Sequence, residues 1–428
     1  MKKLLVLQGP VSSRSGYGDH TRDILKSLIE MDKFNIKVID LRWGDCPRNG
    51  IEEKDEHLKK YFLTQQLTQQ PDIFIQVSVP NEFQPVGKYN IGITAGMETT
   101  TVSADWIQGC NRMNLIIVPS EHSKQVFEHS VYDSIDKQSG QKTGTLKLEK
   151  PVKVLFEGAD LDVWNNTPVK SSMVDEELSK IKESFCFLFV GHWLQGSHGH
   201  DRKDVGKLIE TFVQTFKNNP TSTRPALILK TSSATFSVID RIEMVKNIKR
   251  VVRRSGVINP PKVYLLHGDF TQEELNYLYN HNKVKAHISF TKGEGFGRPL
   301  LEASLSGKPV IATNFSGHVD FLQHSTLLPG NLQKVHESAA WKNVILKESE
   351  WFYVNYVYAS QIMKDVFKNY KKYVVGAKVQ KNFSKNNFSI DKMNSKFKEM
   401  IAEHIVEEVS INLPNQKLKL PKLKRIEA

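Results

Sequence analysis

The chain has 428 residues, of which 39% are hydrophobic and 25% are charged, and its formal net charge is +12. These values are typical of an ordinary globular protein, and no run of about 18 apolar residues predicts a membrane-spanning helix. Residues 1–180 carry 22 Lys and Arg against 25 Asp and Glu, whereas the remainder carries 37 against 22, so the C-terminal part has either a solvated basic surface or an anionic partner.

The length predicts two domains, each with its own core. The opening residues "MKKLLVLQGPVSS" briefly resemble a signal peptide, but the apolar run is short and residues 8–10 break it, which favours a first buried strand. The cysteines at 46, 110 and 186 are far apart and match no metal spacing. We therefore expect reduced thiols in a cytoplasmic protein.

Short apolar strands alternate with helical patterns through the first part of the chain. A strand pattern at residues 3–9 precedes a helical pattern at 18–31. Further strand patterns lie at 35–41, 71–79, 89–95, 115–120 and 152–158. This alternation predicts a parallel sheet that helices cover on both faces.

A polar stretch then interrupts the alternation, which restarts afterwards. It predicts strands at 185–191, 225–232, 262–268, 285–290 and 309–313, and helices at 205–216, 238–252, 272–282 and 298–307. We therefore expect an α/β protein with two doubly wound halves. The predicted boundaries are an N-terminal domain at 1–165, a linker at 166–182, a C-terminal domain at 183–385, an amphipathic helix at 386–410 and a basic tail at 411–428.

The first chemical candidate is the loop "QGPVSSRSGYGDHT", between the first strand and the first helix. It lacks the lysine of a P-loop, and Thr21 stands where a dinucleotide-binding fingerprint has its third glycine. Gly16 and Gly18 would still let backbone N–H groups at the helix N-terminus bind an anion. The alternative is a tight turn without a ligand.

The second candidate is "GHWLQGSHGHDRKDVGKLIETF", which follows the first strand of the second half. Arg202 and Lys203 stand just before an amphipathic helix, where a basic pair suits a diphosphate. The loop also contains His192, His198 and His200, but no carboxylate or cysteine completes a ligand spacing. We therefore expect exposed loop histidines and no metal site.

The third candidate is "TKGEGFGRPLLEASLSGKPVIAT", in which Glu294 occupies a glycine-rich turn and Glu302 lies about one turn into the following helix. The glycines at 293, 295 and 297 allow a close backbone approach to a ligand. The amides of Phe296, Gly297 and Arg298 would face that ligand. Two carboxylates for hydroxyl groups beside an anion-binding helix end suit a nucleotide sugar. A helix cap with an incidental second glutamate is the alternative.

These motifs resemble those of the retaining GT-B glycosyltransferases of nucleotide-sugar family four, whose signature is E-x7-E. The likeness covers roughly residues 4–325, through "GYGDHTRDILKSL", "GMETTTVSADWIQGCNRMNLIIVPSEHSKQVF", "FEGADLDVW", "DRKDVGKLIETF", "HGDFTQEELNYLYNHNKVKAHIS" and "GEGFGRPLLEASLSGKPVIAT". The resemblance implies two Rossmann-like domains that face a cleft. It also implies an acceptor-binding N-terminal domain, a donor-binding C-terminal domain and a final helix that crosses back to the N-terminal domain.

The resemblance also implies roles for individual positions. Glu302 would bind the ribose hydroxyls, Glu294 the transferred sugar, and Lys203 the diphosphate. The amides of residues 296–298 would hold the donor near its diphosphate, and Gly16 and Gly18 would let the first loop approach the donor. The expected donor is a nucleotide diphosphate sugar linked to UDP, with no metal or other cofactor.

Two positions remain open. The family usually has an arginine where this chain has His192, so Arg202, Lys230 or Arg298 would have to supply the second cation beside the diphosphate. Glu98 follows a predicted strand of the first half and faces either the acceptor or a structural partner. The resemblance alone implies the mechanism: the anomeric configuration is retained without a covalent nucleophile, and the leaving phosphate takes the proton of the acceptor.

The sequence leads to two hypotheses for the acceptor. The stretch "LQGPVSSRSGYGDHT" resembles glycosyltransferases encoded by tailed phages, some of which add sugars to hydroxymethylated cytosine in DNA. Double-stranded DNA is therefore the leading partner, in the host cytoplasm if a phage encodes the protein, although residues 1–180, which include the N-terminal domain that should hold it, have a net charge of −3. Surface polysaccharide or lipid-linked glycan is the second hypothesis. A nucleotide-sugar-binding protein without activity and a GT-B-shaped epimerase are the others.

Overall fold

The computed structural model describes residues 2–136, 138–233 and 235–410, with side chains in the last helix described through residue 404. The basic tail predicted at 411–428 lies outside these residues. Among the described helices, none combines the length and the apolar character that crossing a membrane requires.

The N-terminal domain is built on a parallel sheet of six strands. Its strands and helices are β1 (Lys3–Gly9), α1 (Gly16–Met31), β2 (Phe34–Asp40), β3 (Ile73–Val77), β4 (Tyr89–Ile93), α2 (Ala104–Asn111), β5 (Leu115–Val118), α3 (Glu121–His129), the hairpin β6 (Tyr132–Ile135) and β7 (Lys142–Leu146), and β8 (Val152–Val154). The order is β2-β1-β3-β4-β5-β8, and every neighbouring pair is parallel. The central strands are buried on both faces, which explains their nearly continuous apolar sequences.

The C-terminal domain repeats this architecture. It consists of α4 (Ser172–Ser179), β9 (Cys186–Val190), α5 (Val205–Phe216), β10 (Ala226–Lys230), α6 (Val238–Arg254), β11 (Val263–Leu266), α7 (Gln272–Asn280), β12 (Val284–Ile288), α8 (Arg298–Leu305), β13 (Val310–Thr313), β14 (Thr326–Leu328), the hairpin β15 (Gly330–Lys334) and β16 (Glu350–Val354), α9 (Tyr356–Lys368) and α10 (Tyr370–Asn387). Its parallel sheet has the order β11-β10-β9-β12-β13-β14. The predicted pair of doubly wound halves is confirmed.

The last described helix, α11 (Ile390–Ser410), belongs to the core of the other domain. Met393, Phe397, Met400 and Ile401 are buried in the cluster that also contains the apolar face of α1. This position confirms the predicted crossing back.

The predicted linker contains more structure than its composition suggested. Residues 172–179 form α4, whose Val174 and Leu178 are buried in the core of the C-terminal domain. The segment thus packs on that domain instead of forming only an extended connection.

Candidate functional site

The candidate site lies at the carboxyl ends of β9, β10 and β12, where open α/β sheets bind ligands. Glu294 occupies the turn between β12 and α8, Glu302 lies in the second turn of α8, and both are buried. Gly297 precedes α8 with a positive φ of 101°, a conformation that glycine adopts readily. Pro299 stands in the first turn of the helix, where proline is tolerated.

Glu294 is the centre of a charged cluster. One of its carboxylate oxygens pairs with the Lys203 ammonium, and the other accepts a hydrogen bond from Arg202 Nη1 at 3.1 Å. Arg202 Nη1 also lies 3.6 Å from Glu98 Oε1. Burial alone would raise the pKa of Glu294, but Lys203 and Arg202 lower it to about 2. The structure therefore brings together four of the predicted residues around an ionised carboxylate.

Glu302 has a different environment. It accepts a hydrogen bond from the Tyr279 hydroxyl at 3.3 Å and lies 3.9 Å from Arg298 Nε. Burial raises the pKa of Glu302 to about 7 despite that cation. Glu302 is thus a carboxyl group that changes its charge near neutral pH.

The Arg298 side chain is already paired with carboxylates of the N-terminal domain. Its Nη1 lies 2.8 Å from Asp23 on α1 and 3.4 Å from Glu157, whose pKa burial raises to about 7. Of the three candidates for the second diphosphate cation, Arg298 is therefore the least available. Asp23 and Glu157 were not among the predicted residues, although Glu157 lies near the carboxyl end of the strand predicted at 152–158.

The amides ahead of α8 are available to a ligand. Among the described residues, the N–H groups of Phe296, Gly297 and Arg298 donate to no protein acceptor. Free N–H groups at a helix N-terminus, with the positive end of the helix dipole, form an anion site. The three amides that were predicted to face a ligand are therefore free of protein partners.

Lys230 and His192 lie on the neighbouring strand ends. Lys230 Nζ donates to Gly268 O at 2.8 Å and lies 5.1 Å and 4.9 Å from the ring centroids of Phe236 and Phe270. Burial lowers the pKa of Lys230 to about 8. His192 shares a hydrogen bond with the Ser232 hydroxyl at 3.3 Å, and its pKa is lowered by partial loss of hydration and by the nearby Lys203 ammonium.

The first loop contributes differently from what its glycines suggested. A Cβ at Gly18 would lie 2.1 Å from Ser13 O, so Gly18 allows the loop to pack against α1. Gly16 has open space around it. Arg14, which the prediction missed, reaches the other domain: its Nε lies 3.1 Å from Asp269 Oδ1, and its Nη2 donates to Phe270 O at 2.9 Å.

Two glycines of the turn pack closely against the backbone of the N-terminal domain. A Cβ on Gly293 would lie 1.8 Å from Glu98 O, and a Cβ on Gly295 would lie 1.9 Å from Ala95 O. The Ser120 hydroxyl also donates to Gly295 O at 2.6 Å. These glycines were expected to admit a ligand, but here they let the two domains touch across the cleft.

The loop histidines have protein partners. His198 Nε2 lies 2.7 Å from Glu210 Oε2, and the His200 ring stacks on that of His336 with centroids 4.0 Å apart. Within the described part of the chain, no three His, Cys, Asp or Glu side chains are grouped as ligands of one metal ion.

Comparison with known proteins agrees with this geometry. Residues 226–348, which contain the turn and α8, match the family described as Glycosyl transferases group 1. No curated protein matches the sequence of the chain. The match therefore covers most of the C-terminal domain and leaves the N-terminal domain without a family assignment.

Solved structures resemble the chain over nearly its whole length. Anabaena Alr3699/HepE in complex with UDP and glucose is 13% identical, with a TM-score of 0.57 over 94% of this chain and 100% of that one. Sucrose-phosphate synthase (tll1590) from Thermosynechococcus elongatus is 12% identical, with a TM-score of 0.62 over 95% and 100%. The lipopolysaccharide outer core galactosyltransferase WaaB is 14% identical, with a TM-score of 0.56 over 94% and 99%.

The chain has the GT-B fold. The GT-B arrangement explains why the charged cluster faces the N-terminal domain, since the two sheets point their carboxyl edges at one cleft. It also explains the last helix, which ties the C-terminal half to the core of the N-terminal domain.

Proposed function

We propose that the chain is a glycosyltransferase that moves a sugar from a nucleotide diphosphate sugar to a hydroxyl acceptor with retention of configuration. The observation that carries this proposal is the convergence of Lys203 and Arg202 on Glu294 beside the free amides of α8. Glu302, farther along the same helix, adds a second carboxylate. Cations, amides and two carboxylates match a ligand with phosphates between two groups of hydroxyls.

The proposed donor position follows from these groups. The diphosphate would lie between Lys203, Arg202 and the amides of residues 296–298, and the ribose would lie at Glu302. The transferred sugar would lie at Glu294. The base would lie near Phe270 and Lys230, at the end of β10. We propose UDP as the nucleotide because the Anabaena neighbour of the same fold was solved with UDP and with UDP-glucose.

Catalysis would be electrostatic. As the glycosidic bond breaks, negative charge grows on the leaving diphosphate, and fixed cations and amides stabilise that charge more than they stabilise the ground state. Lys203 and Arg202 would supply the positive charge that a metal ion supplies in other sites, so we propose transfer without a metal. Activity that vanishes in EDTA and returns with Mg²⁺ would contradict this point.

Retention is proposed to occur by attack on the face from which the nucleotide leaves. Glu294 is ionised, but its two oxygens are held by Lys203 and Arg202, which makes it a poor covalent nucleophile. Glu98, 3.6 Å from Arg202, faces the same cluster from the N-terminal domain and would contact the acceptor. NMR of the newly formed anomeric proton tests retention, and an inverted product would contradict it.

Lys203→Ala and Glu302→Ala test the site. Removing one group that stabilises the transition state typically reduces kcat by about 10²–10³-fold, and we expect at least that loss in Lys203→Ala. Lys207→Ala is the matched control, because Lys207 lies on α5 and pairs with Glu210 at 3.0 Å. Turnover near wild type in both site variants would refute the assignment.

The proposed acceptor is hydroxymethylated cytosine, or its glycosylated form, in phage DNA. Its support is the phage resemblance and the basic C-terminal part of the chain. The decisive experiment is mass spectrometry of hydroxymethylated DNA incubated with the protein and a panel of UDP- and GDP-sugars. Transfer to the base supports the proposal, whereas nucleotide-sugar binding without any turnover would favour a non-catalytic binding protein.

One structural observation favours the second acceptor class, a surface polysaccharide or a lipid-linked glycan. The first two turns of α6 expose Val238 (74%), Ile239 (72%) and Ile242 (48%). The outer face continues with exposed cations, none of which forms an ion pair within the described residues: Lys246, Lys249, Arg250 and Arg253. Aliphatic and basic side chains on one helix face suit an anionic membrane surface better than DNA.

Vesicles and DNA separate these acceptors. Flotation with vesicles of phosphatidylcholine and phosphatidylserine measures membrane binding, and fluorescence anisotropy of duplex DNA across a salt series measures DNA binding. Lys249→Glu with Arg250→Glu should reduce vesicle binding if α6 contacts a membrane. Lys371→Glu with Lys372→Glu, on the exposed face of α10, is the control of equal charge. Steeply salt-dependent DNA binding without vesicle binding would favour the DNA acceptor.

A further inference from the structure

The two cations of the site lie on a long loop. Residues 191–204 connect β9 to α5 and include no helix or strand, so the Arg202–Lys203 pair lies entirely within the loop. Gly196 and Gly199 adopt positive φ angles in this loop. Loops are more mobile than the elements they connect, yet catalytic charges act only when they are held in position. Something outside the loop must therefore fix the pair.

Lys292 makes the contacts that fix it. This lysine stands two residues before Glu294, and its side chain is completely buried. Its backbone N–H donates to Arg202 O at 2.7 Å, and its Nζ donates to Asp201 O at 3.0 Å. Its Nζ also lies 2.8 Å from Asp204 Oδ1. The residue thus bonds to the chain on both sides of the Arg202–Lys203 pair.

The surroundings hold Lys292 and Asp204 in turn. The Tyr356 hydroxyl donates to Asp204 Oδ2 at 2.5 Å, and Phe352 N donates to Lys292 O at 2.9 Å. The Lys292 ammonium lies 4.7 Å from the centre of the Tyr353 ring. Residues of β16 and α9 therefore complete a rigid frame behind the loop.

A purely structural role explains these contacts less well. Replacing a buried ion pair by apolar groups of similar volume is often neutral or stabilising, so core stability alone gives no reason for a buried lysine. An ammonium can bond to three acceptors in fixed directions, which an apolar side chain cannot do. Lys292 uses this capacity on Asp201 and Asp204, which flank Arg202 and Lys203.

We propose that Lys292 is a positioning residue that holds Arg202 and Lys203 against the donor diphosphate and couples them to the Glu294 turn. This inference rests on the proposed function, because it assumes that the two cations bind the diphosphate. Lys292 itself is enclosed by protein and contacts the cations through the backbone and through Asp204.

The test compares nucleotides that differ by one phosphate. Calorimetry gives the dissociation constants of UDP and UMP, with GDP and GMP in parallel, and the ratio within each pair reports the contribution of the second phosphate. Lys292→Met alone would leave the Asp204 carboxylate buried without its cation, so the main variant is Lys292→Met with Asp204→Asn. Asparagine tolerates the left-handed conformation of residue 204, where φ is 51°. Tyr356→Phe is a milder second variant that removes only the hydroxyl contact to Asp204.

We expect the preference for UDP over UMP to fall about tenfold or more in Lys203→Ala, since a charge-assisted hydrogen bond contributes about that much. The double variant should lose a similar factor and keep the affinity of UMP and the thermal midpoint nearly unchanged. Tyr356→Phe should lose a smaller factor. Lys207→Ala should retain the wild-type preference.

The outcomes are distinguishable. If Lys203→Ala loses the preference while the double variant and Tyr356→Phe both retain it, the role of Lys292 is refuted and the donor site stands. If Lys203→Ala itself retains the preference for both UDP and GDP, the diphosphate assignment fails and the role of Lys292 fails with it. Equal losses of UMP and UDP affinity in the double variant would also overturn the inference, because they would show a general structural effect.

Discussion

Two buried glutamates near the N-terminus of α8 have pKa values shifted in opposite directions. Glu294 is held by two cations and its pKa is about 2, whereas burial outweighs Arg298 at Glu302 and its pKa is about 7. Arg298 cannot compensate fully, because Asp23 and Glu157 share it. At neutral pH one carboxylate is therefore fixed in charge and the other titrates.

This difference predicts how donor binding depends on pH. If Glu302 accepts hydrogen bonds from two ribose hydroxyls, its carboxyl group must be ionised. A fall in pH through about 7 would then protonate Glu302 and weaken donor binding. We expect the affinity for UDP-glucose to rise between pH 6 and pH 8 and to level off above. Calorimetry with UDP-glucose is suitable because its diphosphate does not titrate in this range.

Glu302→Gln is the control for this titration, because it keeps the shape of the protonated carboxyl and cannot ionise. Its affinity should be weak and should vary little between pH 6 and pH 8. A pH dependence equal to that of the wild type would assign the titration to another group, and Glu157 is the first to examine.

At the level of elements, the sequence predicts those that are strongly apolar and periodic. The strand predicted at 3–9 and the helix predicted at 205–216 have the bounds of β1 and α5. The hairpin β6–β7 was missed because its residues are mostly exposed and show no apolar alternation. α10 was missed because lysines cover much of its length and few of its residues are buried.

The same limit applies to the site. The positions of Glu294, Glu302 and Lys203 follow from the ends of predicted strands and from the family motif. The pairing of Arg298 with Asp23 joins residues 275 positions apart, and that of Lys292 with Asp204 depends on how two loops pack. Neither local periodicity nor a motif contains such information, so these contacts required the structure.

α11 gives a prediction about stability. Phe397 is fully buried in the core of the N-terminal domain, so Phe397→Ala should lower the free energy of unfolding by about 3–5 kcal/mol. Lys398→Ala, at the next and exposed position, should change it by less than about 0.5 kcal/mol. Denaturant titration measures both. If both substitutions changed the free energy of unfolding by similarly small amounts, α11 would contribute little to the stability of the N-terminal domain.

At the scale of the molecule, the structure shows the two domains in contact across the cleft. The turn that carries Glu294 touches the backbone at residues 95–98, and Lys54 pairs with Glu273 at 2.9 Å elsewhere between the domains. If this cleft binds the proposed donor and acceptor, the two domains would have to separate and close again in each cycle.

Gly295→Ala should prevent this closure, because its Cβ would overlap Ala95 O. We expect a larger radius of gyration in small-angle X-ray scattering, loss of transfer and retained binding of UDP by the C-terminal domain. Gly144→Ala is the control, since its Cβ meets nothing within 4 Å. An unchanged radius with normal transfer would show that the contact is dispensable.

The crossing of α11 has a consequence for biosynthesis. The N-terminal domain is translated first, but Phe397, Met400 and Ile401 complete its core. At about 5–20 residues per second, the ribosome needs roughly 20–80 s to reach Ile401. During that time the part of the N-terminal core that α11 covers stays exposed, while the C-terminal sheet can already form. The domain that emerges first would finish folding last, which makes nascent chains of this protein candidates for chaperone binding.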